Sequence, residues 1–135
     1  MKADLKQVQR FLRHCWISYT QTFLSPLVPS RAGNMGQKGA EMLREIPDTK
    51  VTVIERCSGH GGLWGVMKGN FETALKVGKS VARTVAKAPS EHVVSECPLA
   101  RDHILQGVEI LEDGKKPEVS QSQHPIELMA KAYRI

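Results

Sequence analysis

Aromatic side chains are scarce in this sequence of 135 residues, which holds two Trp, two Tyr and three Phe. A surface that stacks nucleobases needs aromatics interleaved with basic residues, and no such stretch is written here. The charge pattern agrees. The net charge is +5, yet Lys and Arg are scattered, and Lys115-Lys116 is the one adjacent basic pair. No nucleic-acid partner is expected. Long apolar runs are also missing. None approaches the roughly 20 residues that a membrane helix requires, so no direct membrane span is expected. Near the N-terminus Lys2, Lys6, Arg10 and Arg13 stand among polar residues, without the apolar stretch of a secretory signal. A cytoplasmic protein is predicted, or one held at the inner membrane through partners. Cysteine is sparse too: Cys15, Cys57 and Cys97. An odd count without a secretory leader argues against a disulfide framework.

What is present is an ordinary hydrophobic share, 41%, sufficient for one domain with a real core. Val8, Phe11, Leu12 and Cys15 fit one helical face, but the run from Trp16 to Leu27 shows no pattern. From Asn34 the signals sharpen. A helix is predicted from Gly36 to Ile46, stopped by Pro47. Lys50 to Glu55 is a β-branched strand. A second helix runs from Asn70, its N-cap, to Ala88. His92 to Ser95 is a second strand. Pro98 opens a helix reaching about Val108, ended by Gly107 or Gly114. A polar stretch leads to a short last helix, Ile126 to Tyr133. Two strands joined by a helical crossover are expected to pair in parallel.

Between the first of those strands and its helix stands ERCSGHGGLWG, Glu55 to Gly65. The loop is open to four readings. It does not cradle a nucleotide in a known way: Gly78-Lys79-Ser80 lacks the glycine a P-loop needs at position 73, which is Thr73. The glycines at 59, 61 and 65 also miss the dinucleotide spacing. A looser anion nest remains open. Metal is the second reading. Cys57 and Cys97 each follow a predicted strand, so both thiols leave one edge of a parallel sheet. His60 is a third candidate donor, and His103 can reach back from the following helix. Soft thiolates suit iron–sulfur clusters or zinc. Third, Cys57 beside His60 resembles a nucleophile with its base, with Ser58 an alternative; Glu55, Glu96 and Asp102 are all candidates to orient the base. Fourth, two buried cysteines under a tight turn need no chemistry at all.

One resemblance adds to these readings. The stretches SRAGNMGQKGAEMLREIPDTKV, ERCSGHGGLWGVMKGNFETALKVGKSVAR and SECPLARDHILQG resemble the C-terminal cysteine-rich region of iron–sulfur oxidoreductases. These are the oxidoreductases related to the B subunit of heterodisulfide reductase and to the C subunit of anaerobic glycerol-3-phosphate dehydrogenase. The likeness runs from Ser30 to Val108. It implies electron transfer through iron–sulfur clusters. A full module of that family carries a lone cysteine, a Cys-Cys-Gly and a Cys-x-x-Cys. Here the second motif reads Arg56-Cys57-Ser58-Gly59 and the third Cys97-Pro98-Leu99-Ala100, each short of one cysteine. No cysteine stands at 27–30, where the lone one is due, and no C-x-x-C-x-x-C run of the family's ferredoxin-like segment is written in these 135 residues.

The expectation is an α/β fold, a small parallel sheet with flanking helices, forming half of a larger two-module cysteine-rich domain. Residues 1–29 are unassigned, 30–111 form the module, and 112–135 are a polar tail with a short helix. The expected function is that of an iron–sulfur oxidoreductase-related electron-transfer module, a C-terminal piece or a ligand-poor subunit. The alternative is a non-redox interaction module docking to an electron-transfer partner. By resemblance Cys57 and Cys97 are the cluster ligands, with His60 beside them, and Gly59, Gly61 and Gly62 shape the loop. An iron–sulfur cluster is the implied cofactor, with a chain that has lost it as the rival. Other subunits or modules of an electron-transfer complex are the implied partners.

Overall fold

A computed structural model describes residues 19–24, 38–88, 90–119, 121 and 124–135. The predicted N-terminal helical face, Cys15 and positions 27–30 lie outside them. Within them the chain is a mixed α/β fold of three strands and four helices: β1 (Tyr19–Leu24), α1 (Lys38–Arg44), β2 (Thr49–Ile54), α2 (Phe71–Lys87), β3 (His92–Ser95), α3 (Pro98–Leu111) and α4 (Pro125–Tyr133). A single 3-10 turn, Trp64–Val66, sits between β2 and α2.

The strand order is β2-β1-β3, and β1 runs parallel to both neighbours. The two strands read from the sequence are therefore not direct partners. The strand between them comes from the run that showed no pattern. Its sequence, YTQTFL, holds Tyr, Thr and Phe, all good strand formers, but its polar and apolar residues do not alternate cleanly, so no strand period was legible. β3 is buried at all four positions, as a strand covered on both faces must be.

Each helix buries one stripe. In α2 the buried residues are Ala74, Gly78, Val81, Ala82 and Val85, spaced for a single helical face. With Ile104 and Val108 of α3, Ile54 and Val93, the three α2 residues Val81, Ala82 and Val85 form one core; Val119 from the polar stretch packs against it. A second core joins Ala40, Leu43 and Ile46 to Val94 and Leu128. Adjacent residues Val93 and Val94 point into different cores, the period-two alternation of a strand.

The helix ends differ from the sequence reading in instructive ways. α1 starts at Lys38, and Glu45 and Ile46 continue it as a tight last turn, donating to Met42 and Leu43 at 3.2 Å each. Asn70 does stand at the N-cap of α2 but makes no side-chain cap bond; its amide lies 4.0 Å from Met67 Sδ. Gly107 does not stop α3, which runs on to Leu111. A Cβ there would stand 3.1 Å from that of Ala82, so Gly107 sets the close approach of α2. Gly114, at φ +88°, is the terminator, and its N–H bonds Glu109 at 2.8 Å. His124 caps α4, its Nδ1 accepting from Ile126 N–H at 3.1 Å. Among the described residues no helix is long and apolar enough to cross a membrane.

Candidate functional site

Leu24, the last residue of β1, is in register with both Ile54 and Ser95. The carboxyl ends of all three strands are therefore flush. Cys57 follows Ile54 by three residues and Cys97 follows Ser95 by two. Both thiols leave the same end of the sheet, the end where open α/β sheets bind ligands. With β1 between them, the two strand ends stand two strand spacings apart, about 10 Å.

The glycine loop is fixed by contact of backbone on backbone. Gly59, Gly61 and Gly62 all have positive φ, +80°, +56° and +65°, which ordinary side chains resist. A Cβ on Gly59 would collide with the carbonyl oxygen of Ala74 in α2 and stand 2.8 Å from Gly78 N. A Cβ on Gly78 would in turn collide with the carbonyl oxygen of Ser58. The loop lies directly on α2 at these two glycines. Further on, Gly65 N–H closes the loop on His60 O at 2.9 Å.

Short polar contacts shape each cysteine's neighbourhood. Cys57 is exposed, and its Sγ accepts the Gly59 N–H at 3.4 Å. Ser58 Oγ accepts the His60 N–H at 3.4 Å. Cys97 is half-buried at the N-cap of α3. Its N–H bonds the Oγ of buried Ser95 at 3.2 Å. Behind it, buried Arg101 ties α3 to β3 through Nε and Val93 O at 2.7 Å. Arg101 Nη1 also holds Asp102 at 2.9 Å, so this candidate carboxylate is already engaged. The sequence reading missed the Arg101 clamp, because one arginine in a helix carries no pattern.

The structure brings His60 and His103 together. Both are buried, 4% and 3% exposed. Their rings meet edge-on, centroids 6.2 Å apart, and Phe71 packs edge-on against His103 at 5.8 Å. Among the described residues, His60 Nε2 and both ring nitrogens of His103 have no hydrogen-bond partner. Burial holds His60 below the usual histidine range, and the neighbouring His103 pushes the same way. Through Nε2, then, His60 does not serve as base to Cys57.

A cluster bound by thiolates takes about four of them. Among the described residues no group of three or more His, Cys, Asp or Glu is placed to hold a metal ion. Two thiols at one sheet edge and one buried imidazole nitrogen are a partial donor set. The described residues of one chain do not fit a complete cluster. Beside this partial set the loop exposes a run of large apolar side chains. Leu63 is 74% exposed, Trp64 45%, Val66 51% and Met67 58%. That run was not legible as a surface, since it has neither helical nor strand periodicity.

Comparison with known proteins finds relatives among iron–sulfur proteins. The chain is 28% identical over 93 residues, 68% of its length, to the C subunit of the anaerobic glycerol-3-phosphate dehydrogenase of Escherichia coli K12, covering 21% of that protein. The same protein of Escherichia coli O157:H7 matches equally. An uncharacterized iron–sulfur protein of Methanocaldococcus jannaschii is 31% identical over 96 residues, 70% of this chain and 19% of that one. The chain thus spans about a fifth of the length of the curated relatives it matches. No family model matches it, and no solved structure does either.

Proposed function

Starting from the chain's kinship with iron–sulfur proteins, one of them part of a dehydrogenase, we propose that it is an electron-transfer module of an iron–sulfur oxidoreductase. In this reading it works in the cytoplasm, one half of a two-module cysteine-rich domain whose other parts belong to the same complex. Cys57 and Cys97 are its contribution to a cluster site. His60 is the remaining candidate donor, and Gly59, Gly61 and Gly62 hold the loop. The observation that carries the reading is the common register of the strand ends, which delivers both thiols to one end of the sheet.

The residues' own work follows from the geometry. Gly59 N–H donates to Cys57 Sγ, and a bond of this kind to a ligating sulfur orients it and tunes its donor strength. The positive-φ glycines at 59, 61 and 62 let the loop take a path that ordinary side chains resist, with Gly59 seated against Ala74 of α2. Ser95, through Cys97 N–H, sets the direction in which the chain leaves β3. A bound cluster would supply one-electron exchange; the chain's residues supply ligation, orientation and the approach surface.

The exposed Leu63, Trp64, Val66 and Met67 favour a second reading, a docking module without a redox centre. Anaerobic reconstitution with iron and sulfide separates the two. The first predicts iron and acid-labile sulfide retained through gel filtration, and lost in Cys57→Ser and Cys97→Ser. A folded protein that stays iron-free leaves the docking module standing. Iron that survives both substitutions refutes the ligand assignment.

A further inference from the structure

We propose that a pocket at the end of the α2–α3 pair away from the glycine loop binds one apolar α-amino acid as its zwitterion. This binding needs no metal and is independent of Cys57 and Cys97. Both helices end there, and β3 begins there. Val85, Val93 and Val108 form the floor of a cavity of about 190 Å³, and all three are buried. The polar stretch after α3 supplies the wall, with Pro117 and Val119 lining it. That wall is tied in place. Gly114 N–H bonds Glu109 O at 2.8 Å, Lys115 N–H bonds Glu112 O at 3.0 Å and Val119 N–H bonds Pro117 O at 3.1 Å.

Size narrows the occupant first. A cavity of about 150 Å³ holds a benzene ring, whereas sites for drug-sized ligands start at about 300 Å³. One apolar side chain fits here; a nucleotide or a flavin does not. Charge narrows it further. Glu112, Lys115, Lys116 and Glu118 also line the pocket and are exposed, so they stand at its mouth. Among the described residues these four make no ion pair with one another. Two lysines suit a carboxylate. Two glutamates suit an ammonium, and the C-terminal ends of α2 and α3 add negative potential that favours the same cation. A simple fatty acid would set its carboxylate against the glutamates, and a simple amine would set its charge against the lysines. An amino acid meets both signs at the mouth and places its side chain on the valine floor. Three separate contacts also distinguish one enantiomer from the other.

The test titrates the isotopically labelled full chain with L-phenylalanine and follows the backbone amide resonances. Shifts are expected at Val85, Val93, Val108, Lys115 and Val119, and none at Cys57 or Gly59. L-phenylalanine should bind about tenfold or more tightly than phenylpropionate, phenylethylamine or D-phenylalanine, since each analogue forfeits one charged contact or its direction. Ala86 lines the pocket from the last turn of α2, and Ala86→Phe should abolish the shifts. Lys115→Ala with Lys116→Ala alters exposed positions only. That pair should weaken L-phenylalanine by about tenfold and leave phenylethylamine unchanged. Absent shifts, or shifts confined to residues outside the pocket, overturn the site. Equal binding of phenylpropionate or phenylethylamine overturns the zwitterion, as does a lysine variant that binds L-phenylalanine like the parent chain.

Discussion

α2 and α3 pack against each other along their length, and the two ends of that pair are built on opposite terms. At the end away from the glycine loop, Val81 and Val85 meet Ile104 and Val108, aliphatic side chains with nothing polar to satisfy. At the loop end, side chains give way to backbone. Gly78 lies against Ser58 and Gly59 against Ala74, and beside them sit two histidines whose three ring nitrogens find no partner among the described residues. The first end contributes stability. The second forgoes hydrogen bonds, each missing one costing on the order of 1–3 kcal/mol, and gains a fixed loop that carries Cys57.

The contrast yields graded predictions. Ile104→Ala removes a well-packed side chain from the aliphatic end. It should cost about 2–5 kcal/mol in chemical denaturation while leaving the native-state reactivity of Cys57 unchanged. Gly59→Ala strikes the other end. Overpacking against the Ala74 carbonyl, at a positive φ, should cost about 1–3 kcal/mol and change the rate at which Cys57 reacts with a thiol reagent. A neutral Gly59→Ala would mean that the loop does not rest on α2. His103→Leu should do the reverse. Replacing an unsatisfied buried imidazole by an apolar side chain should leave stability unchanged or raise it by about 1 kcal/mol. A clear loss there would show that the imidazole has a partner.

The smallest effect is in pH dependence. His60 is held below 6.5 by burial and then by His103. His92 is held below 6.5 by burial and then by Lys131. Each folded state therefore binds fewer protons than the unfolded chain. Their contribution is complete above pH 6.5 and is lost as pH falls from there through the lowered folded values. Glu91, raised above 4.5 by burial, acts in the opposite sense: its contribution is full below 4.5 and fades as pH rises through the folded value. Denaturation midpoints across pH 5–8 should thus decline toward the acid side, and His60→Leu should flatten part of that decline.

Much of this layout is legible in the sequence, and the losses have physical causes. α2 is plain from its spacing of apolar residues, and β3 from its β-branched run. The Cys57 loop is visible because glycines and a cysteine follow a strand. His103 was read as a donor reaching back to the Cys57–Cys97 site; among the described residues it meets the His60 ring instead, both of them buried. β1 was missed since a strand in the middle of a sheet is defined by its neighbours, and YTQTFL shows no clean period-two alternation. Arg101 and the Leu63–Met67 surface were missed because tertiary contacts assign them, not local pattern. Cys57 and Cys97 were expected to converge because their two strands would pair directly; those strands do not pair, and each is in register with a third strand lying between them.

Iron K-edge absorption on the anaerobically reconstituted chain is the most direct test that Cys57 and Cys97 belong to one iron–sulfur site. The expected spectrum has a sulfur-dominated first shell with iron–iron scattering, lost in Cys57→Ser and in Cys97→Ser alike. A first shell of oxygen and nitrogen, or one unchanged by either substitution, would contradict that assignment.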